Sequence, residues 1–214
     1  MKARITIFAT VLIALTSCKK EKATDNSGLA FQLGIANPRS TVARTAATLS
    51  WQSGFVNANL IKFEAKQAGN ELEFKSSVQR HIDLFALPVD IGNVSLPAGT
   101  YDETEFKISI TPDSGEPALQ LQGTVNAIPV VFRIDNSNLI KAEQQQVTLA
   151  GSNVALTTID LSGLTKGLSA TDLTNATQTN GSIIISSSSN VNLYNAILAN
   201  LQRLGETEVE IHHH

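Results

Sequence analysis

Apolar and polar side chains alternate along most of this chain with a period of two. In Glu105-Phe106-Lys107-Ile108-Ser109-Ile110-Thr111, the residues Phe106, Ile108 and Ile110 fall on one face and their polar neighbours on the other. Leu119-Gln120-Leu121-Gln122 alternates in the same way, and residues 128–134 set Ile128, Val130, Phe132 and Ile134 against Val131 and Arg133. Ile61, Phe63 and Ala65 oppose Leu60, Lys62 and Glu64, while Leu72 and Phe74 sit between Glu71, Glu73 and Lys75. Alternation of this kind predicts half-buried antiparallel strands, one face dry and one wet. Turn residues punctuate them: Ala68-Gly69-Asn70 after one strand, and Pro112-Asp113-Ser114-Gly115-Glu116-Pro117 between Thr111 and Ala118. Many short strands with frequent turns point to a sandwich or barrel, and an antiparallel β-sandwich is expected over residues 29–205.

Two stretches change period. Ser169-Ala170-Thr171-Asp172 has the spacing of a capping box, which predicts a short helix over residues 170–176 carrying Leu173 inward. Residues 191–204 line up Leu193, Ile197, Leu201 and Leu204 on one helical face, widened by Tyr194 and Leu198. Ser189 or Asn190 can cap the start of this C-terminal amphipathic helix and Gly205 can end it. It is expected to cover an edge or open end of the sheets.

The amino-terminal segment follows neither period. Lys2 and Arg4 precede the apolar residues Ile5, Ile7, Phe8, Val11, Leu12, Ile13 and Leu15, a run of signal-peptide length that is too short for a permanent span. It ends in Leu15-Thr16-Ser17-Cys18, and Cys18 is the single cysteine of the chain. This tetrad resembles the lipobox of bacterial lipoproteins. The resemblance implies a diacylglycerol on the Cys18 thiol, cleavage of residues 1–17, and acylation of the new amino terminus. Residues 19–28 hold no large apolar side chain and read as a hydrated tether. Lys19, rather than aspartate, follows Cys18; by the same resemblance this favours the outer membrane, on its periplasmic or outer side.

Removal of residues 1–17 leaves 197 residues with 14 basic and 19 acidic side chains, a net charge of −5. Spread-out, mildly acidic charge excludes a nucleic-acid surface, which needs clustered Lys and Arg. With Cys18 given to lipid, no disulfide, cysteine-based zinc site or thiol nucleophile remains.

Val94-Ser95-Leu96-Pro97-Ala98-Gly99-Thr100-Tyr101 resembles the Leu-Pro-Ala-Gly-x-Tyr turn of exported prealbumin-like β-sandwiches. The resemblance implies a Greek-key sandwich and transfers no catalytic residue. Locally, Pro97 stops a strand, Gly99 supplies a backbone angle closed to other residues, and the Tyr101 ring packs while its hydroxyl reaches a nearby backbone group.

Candidate chemistry is sparse. His81 and Asp83 share a strand face at the spacing of a base and its orienting carboxylate, but no nucleophile-elbow serine accompanies them. Asp102, Glu103, Glu105, Asp113 and Glu116 are oxygen-rich yet lack the periodicity of a calcium loop, and solvated turn and edge charges are the expectation. Asp83 and Asp90 are the pair a carboxylate-dependent hydrolase would need. Trp51, beside Ser50 and Gln52-Ser53-Gly54, is the candidate ligand contact; Tyr101 and Tyr194 are expected to be packed. His212, His213 and His214 close a polar tail, residues 206–214, to which no function is assigned. No catalytic set, metal site or cofactor beyond the lipid on Cys18 is expected. The sequence favours a non-enzymatic binding, adhesion or structural module of the cell envelope, with an envelope protein or glycan as partner. A glycan- or peptide-binding accessory protein of an outer-membrane uptake system is the alternative.

Overall fold

A computed structural model describes residues 26–37, 39–41, 48–86, 88–204 and 209–213. Cys18, the segment before it and Gly205 lie outside the described residues. The elements in chain order are β1 (Asn26–Ala36), β2 (Arg39–Thr41), β3 (Thr48–Gln67), β4 (Asn70–Asp83), β5 (Val89–Pro97), β6 (Gly99–Ile110), β7 (Leu119–Val125), β8 (Ile128–Ile134), β9 (Asn138–Leu149) and β10 (Ser152–Asp160). A 3-10 turn (Gly163–Thr165), α1 (Ala170–Thr174), β11 (Gln178–Thr179), β12 (Ser182–Ile185), α2 (Val191–Leu204) and β13 (Val209–His213) follow.

The strands form a four-stranded sheet, β13-β10-β1-β5, and a nine-stranded sheet whose main path is β11-β12-β8-β7-β3-β6-β9, with β2 and β4 also paired to β3. Most pairs are antiparallel, but β1 with β10 and β12 with β8 run parallel, a mixture that strand alternation alone does not reveal.

The larger sheet is built on long runs. β3 pairs its second half with β6 and its first half with β7, both antiparallel to it. β6 and β7 therefore follow one another along a single line, and β9 and β8 follow the next line beside them. Residues 111–118 leave that line and return to it. Thr111 N–H donates to Asn57 O and Asn57 N–H to Ala118 O, both at 2.9 Å. The Pro-Asp-Gly segment is thus an excursion within one run and not a reversal between two strands. A two-residue turn at Ser114-Gly115, both with positive φ, closes the tip of the excursion. Tight reversals between paired strands lie at Ala68-Gly69, Asn126-Ala127 and Asn180-Gly181, where both residues likewise have positive φ.

Two different layers cover the inner face of this sheet. Over the second half of β3 lies the four-stranded sheet, pinned by Phe31 of β1, whose ring stands 4.8 Å from Phe106 and 5.3 Å from Phe63. Toward the first half of β3, α2 presents Tyr194 to Phe132 of β8, with centroids 6.0 Å apart. Leu193, Ile197 and Leu201 are buried there, as the 3.6-residue spacing predicts. Bulges in β3 between Trp51 and Ser53 and between Ala58 and Leu60 keep Leu49, Trp51, Val56, Ala58, Ile61 and Phe63 pointing inward across the bend.

The Leu96–Tyr101 turn is local scaffold. Gly99 has φ +146°, a region that side chains strongly disfavour, and a Cβ there would collide with the amide of Gln67. Tyr101 is fully buried, and its hydroxyl donates to Pro97 O at 2.6 Å.

Some expected boundaries move. β1 begins at Asn26 and buries Ser27, so residues 26–28 belong to the domain and not to the tether. Much of the tail is a strand: Val209–His213 pairs with the free edge of β10. α1 ends at Thr174, inside its expected span, with the capping box of Ser169 and Asp172 formed and Leu173 buried. Asn190 stands at the N-cap position of α2, where its carbonyl accepts from Tyr194 N–H at 3.0 Å. Its side chain instead bonds the preceding loop, accepting from Thr177 N–H and donating to Thr177 O and Ile184 O.

Ile197 tests the packing of α2. Ile197→Ala should lower unfolding free energy in denaturant titrations by about 2–5 kcal/mol, as deletion of a buried aliphatic side chain does. A change within about 0.5 kcal/mol, the range of surface substitutions, would mean that the helix does not pack on the sheet.

Candidate functional site

Among the described residues no secondary-structure element packs on the outer face of the larger sheet. Two features occupy that face, one at the bend and one on the half backed by the four-stranded sheet.

At the bend, Asn57 sits between Val56 and Ala58, both of which point into the core. Its side chain therefore points outward, yet it is only 4% exposed because residues 112–117 fold over it. A buried amide needs partners for its donors and its acceptor. Nδ2 donates to Pro117 O at 2.9 Å, and Oδ1 lies 3.1 Å from Nδ1 of His81, the residue paired with Asn57 on β4. The same Nδ1 lies 3.1 Å from Oε2 of Glu116. Two acceptors converging on Nδ1 place an imidazole proton on that nitrogen. Phe55, with its centroid 4.4 Å away, stacks on the imidazole.

Sequence spacing had offered Asp83 as the partner of His81. Asp83 does share its face, but its Oδ1 accepts from Phe85 N–H at 2.8 Å and shapes the following turn. The actual partners, Asn57 and Glu116, come from 24 and 35 residues away. Only the interrupted β6–β7 run brings Glu116 there, which is why no local pattern announces it. Asp90 is likewise occupied, accepting from Gln32 Nε2 at 2.8 Å.

The second feature is an ordered charge lattice. Strand register sets Lys75, Lys62, Lys107 and Lys141 side by side across β4, β3, β6 and β9. The adjacent row is Glu73, Glu64, Glu105 and Glu143. Like charges directly opposite one another destabilise a sheet, so diagonal pairs must offset them. Lys107 Nζ reaches Glu64 at 2.7 Å, Lys62 reaches Glu73 at 3.1 Å, and Lys141 reaches Glu105 at 3.2 Å. Lys62 with Glu64 and Lys75 with Glu73 complete links along single strands. Glu64, at the centre, receives Lys107 first and Lys62 second, and these bonds hold its carboxyl down at about 2. Lys75 and then Lys62 also lower Glu73. For Lys107, burial acts downward, but its bonds to Glu105 and Glu64 raise it on balance.

The lattice absorbs two of the suspected calcium ligands: Glu105 serves Lys107 and Lys141, and Glu103 bonds Lys66 at 2.7 Å. Asp113 and Glu116 lie at the other end of β6, joined by their own backbone bridge. Among the described residues, no group of His, Cys, Asp or Glu has the arrangement of a metal site. Trp51 offers no exposed platform. The residue is 2% exposed, on the inner face, and Nε1 has no partner among the described residues. The bulge after Trp51 keeps it pointing into the core, overriding its loop-like sequence neighbours. Tyr101 and Tyr194 are buried as expected. His212 and His213 belong to β13, and His214 lies outside the described residues.

No family model, curated protein or solved structure matches this chain.

Two measurements probe the face. Asn57→Ala removes the donor to Pro117 O and one acceptor of His81, and should cost about 1–3 kcal/mol of stability with faster hydrogen exchange at Thr111 N–H. Unchanged exchange and stability would show that Asn57 does not hold the excursion. The depressed Glu64 carboxyl stabilises the fold above its ordinary value of 4.5, and this contribution is lost as pH falls toward about 2. Unfolding midpoints should therefore fall less between pH 6 and pH 2 in Glu64→Gln than in the parent; equal slopes would refute the lattice assignment.

Proposed function

We propose that this chain is a lipid-anchored module of the bacterial cell envelope, held at the outer membrane through Cys18, that acts by binding and not by catalysis. The observation that carries the binding reading is the outer face of the larger sheet, uncovered among the described residues and patterned in rows of charge. His81 fits this reading better than a catalytic one, because its Nδ1 partners hold the 112–117 excursion in place.

The anchor and the domain are compatible. β1 starts with Asn26 opposite Pro97, beside the Gly99 turn, so a tether of residues 19–25 joins the domain at that end. Seven extended residues reach at most about 25 Å, which keeps the turn end of the sandwich near the bilayer. Among the described residues no helix is long and apolar enough to cross a membrane, and on this reading the lipid supplies the attachment. Two or three acyl chains make such attachment firm.

One observation favours the glycan- or peptide-binding reading. An open groove of about 540 Å³ between α1 and the start of α2 has Leu168, Ala176, Val191 and Leu193 among its apolar lining, with Asn175 and Asn192 on its sides. Its size is that of a small-ligand cleft. A glycan and peptide array probed with the full chain separates the two readings, since saturable capture of one ligand class would favour the groove.

The anchor is tested directly. Cys18→Ser should leave the precursor uncleaved at this site and unacylated, and should shift the protein out of the outer-membrane fraction. Continued fractionation with the outer membrane would refute lipid attachment at Cys18.

A further inference from the structure

The charge rows have a symmetry of their own. One row across four strands is cationic and the next, two residues further along each strand, is anionic. A two-fold axis lying in the face, parallel to the rows and midway between them, exchanges the two rows. It sets the lysine row of one copy over the glutamate row of the other, and the reverse. A two-fold axis parallel to the strands does the opposite, stacking Lys on Lys and Glu on Glu. The lattice is therefore self-complementary in one orientation, with strands antiparallel between copies, and repulsive in the other.

We propose that this face pairs with the same face of a second copy of the chain, in that antiparallel orientation. The pairing names the partner left open by the binding reading above; it follows from the face and does not need the anchor. The side chains at the row ends are available for it: Lys75, Lys141 and Glu73 are about half exposed, and each keeps only part of its bonding capacity for neighbours in its own chain. With the flanking rows, Ser77, Leu60, Ser109 and Leu139 on one side and Glu71, Lys66, Glu103 and Gln145 on the other, four strands about 4.8 Å apart and four rows about 6.8 Å apart give a patch of about 500 Å² per copy. A total of about 1,000 Å² falls among weak, transient contacts. Exposed ion pairs add little energy singly, so the rows select orientation more than they add strength. Multiple copies on a surface multiply such contacts.

Antiparallel pairing has a consequence that does rest on the anchor. The tether leaves each copy at the Gly99 end, so the two tethers of a pair emerge on opposite sides. Two copies in one membrane cannot adopt this arrangement upright, whereas copies on facing membranes can. The contact is thus homophilic and bridges surfaces.

Sedimentation of the full chain in detergent tests the pairing. The chain should dimerise at low salt and dissociate in about 1 M salt, where the Debye length is about 3 Å. Monomer at all concentrations in low salt overturns the proposal. Charge reversal at the row ends keeps the central ion pairs: Lys75→Glu with Lys141→Glu in one variant, and Glu73→Lys with Glu143→Lys in another. Each should weaken self-pairing by about tenfold or more, and an equal mixture should recover mixed dimers. Far-ultraviolet spectra establish that each variant folds, and if either does not, the salt response of the parent chain decides. Undiminished self-pairing in folded variants, or no recovery on mixing, overturns it. Vesicles of phosphatidylethanolamine and phosphatidylglycerol bearing the acylated chain should cluster at low salt. Dimers in detergent without vesicle clustering overturn the bridging geometry, and a chain lacking acyl groups overturns the anchor while leaving the pairing result to stand.

Discussion

A single buried amide holds the place where the larger sheet changes what it is packed against. Every long run in that sheet crosses from the region under the four-stranded sheet to the region near α2, and β3 must bend to do so. Asn57 lies at the crossing. Its backbone bonds both ends of the 111–118 excursion, and its side chain bonds Pro117 and His81. A hydrophobic residue at this position would leave the Pro117 carbonyl without that donor, and a larger one would displace the excursion. The neighbouring run breaks at the same level, where Thr111 Oγ1 and Ser137 Oγ lie 2.8 Å apart. The bend is thus a line of polar contacts across an otherwise apolar scaffold, and both core regions depend on its position.

On either side of that line the inner face is conventional. Phe31, Phe63 and Phe106 join the two sheets, and Tyr194, Ile197 and Leu201 join α2 to the far half. The outer face is different in kind. There the strands carry long charged side chains whose alkyl stems cover the backbone while their heads pair diagonally. Lys62 and Lys107 retain only 22% and 17% side-chain exposure, so the lattice shields the sheet as a covering layer would. That role suffices for the centre of the lattice. The outer members, more exposed and less fully paired, are where the face meets its surroundings.

The proposed tether at one end and the polar bend some ten residues along β3 together would give the molecule a direction. Under the proposed anchoring, the Gly99 turn lies near the bilayer, the charge lattice above it, and the His81 cluster farther out. Attachment and recognition are then separated along the strands, and a face running parallel to them is open to a partner approaching from a second surface. The C-terminal strand β13 covers the outside of β10. It thereby takes the place of β10 as that edge of the four-stranded sheet.

Much of the local structure was written in the order of the residues. The alternation at 105–111, 119–122 and 128–134 defined strands and their inward faces, because a pleated strand has no other way to bury one set of side chains. The 3.6-residue pattern marked α2 to its observed limits, and Pro97, Gly99 and Tyr101 specified their turn through contacts only a few residues apart. What the sequence did not determine depended on register between distant strands. Lys62, Glu64, Glu105 and Lys107 were legible as a wet face, but a one-residue slip in any pairing would have scattered the rows. Glu116 reached His81 only because residues 111–118 interrupt a run instead of reversing it, and Trp51 went inward because a bulge shifted its strand. The chain alone chose which side chains avoid water, and tertiary pairing chose which polar side chains meet.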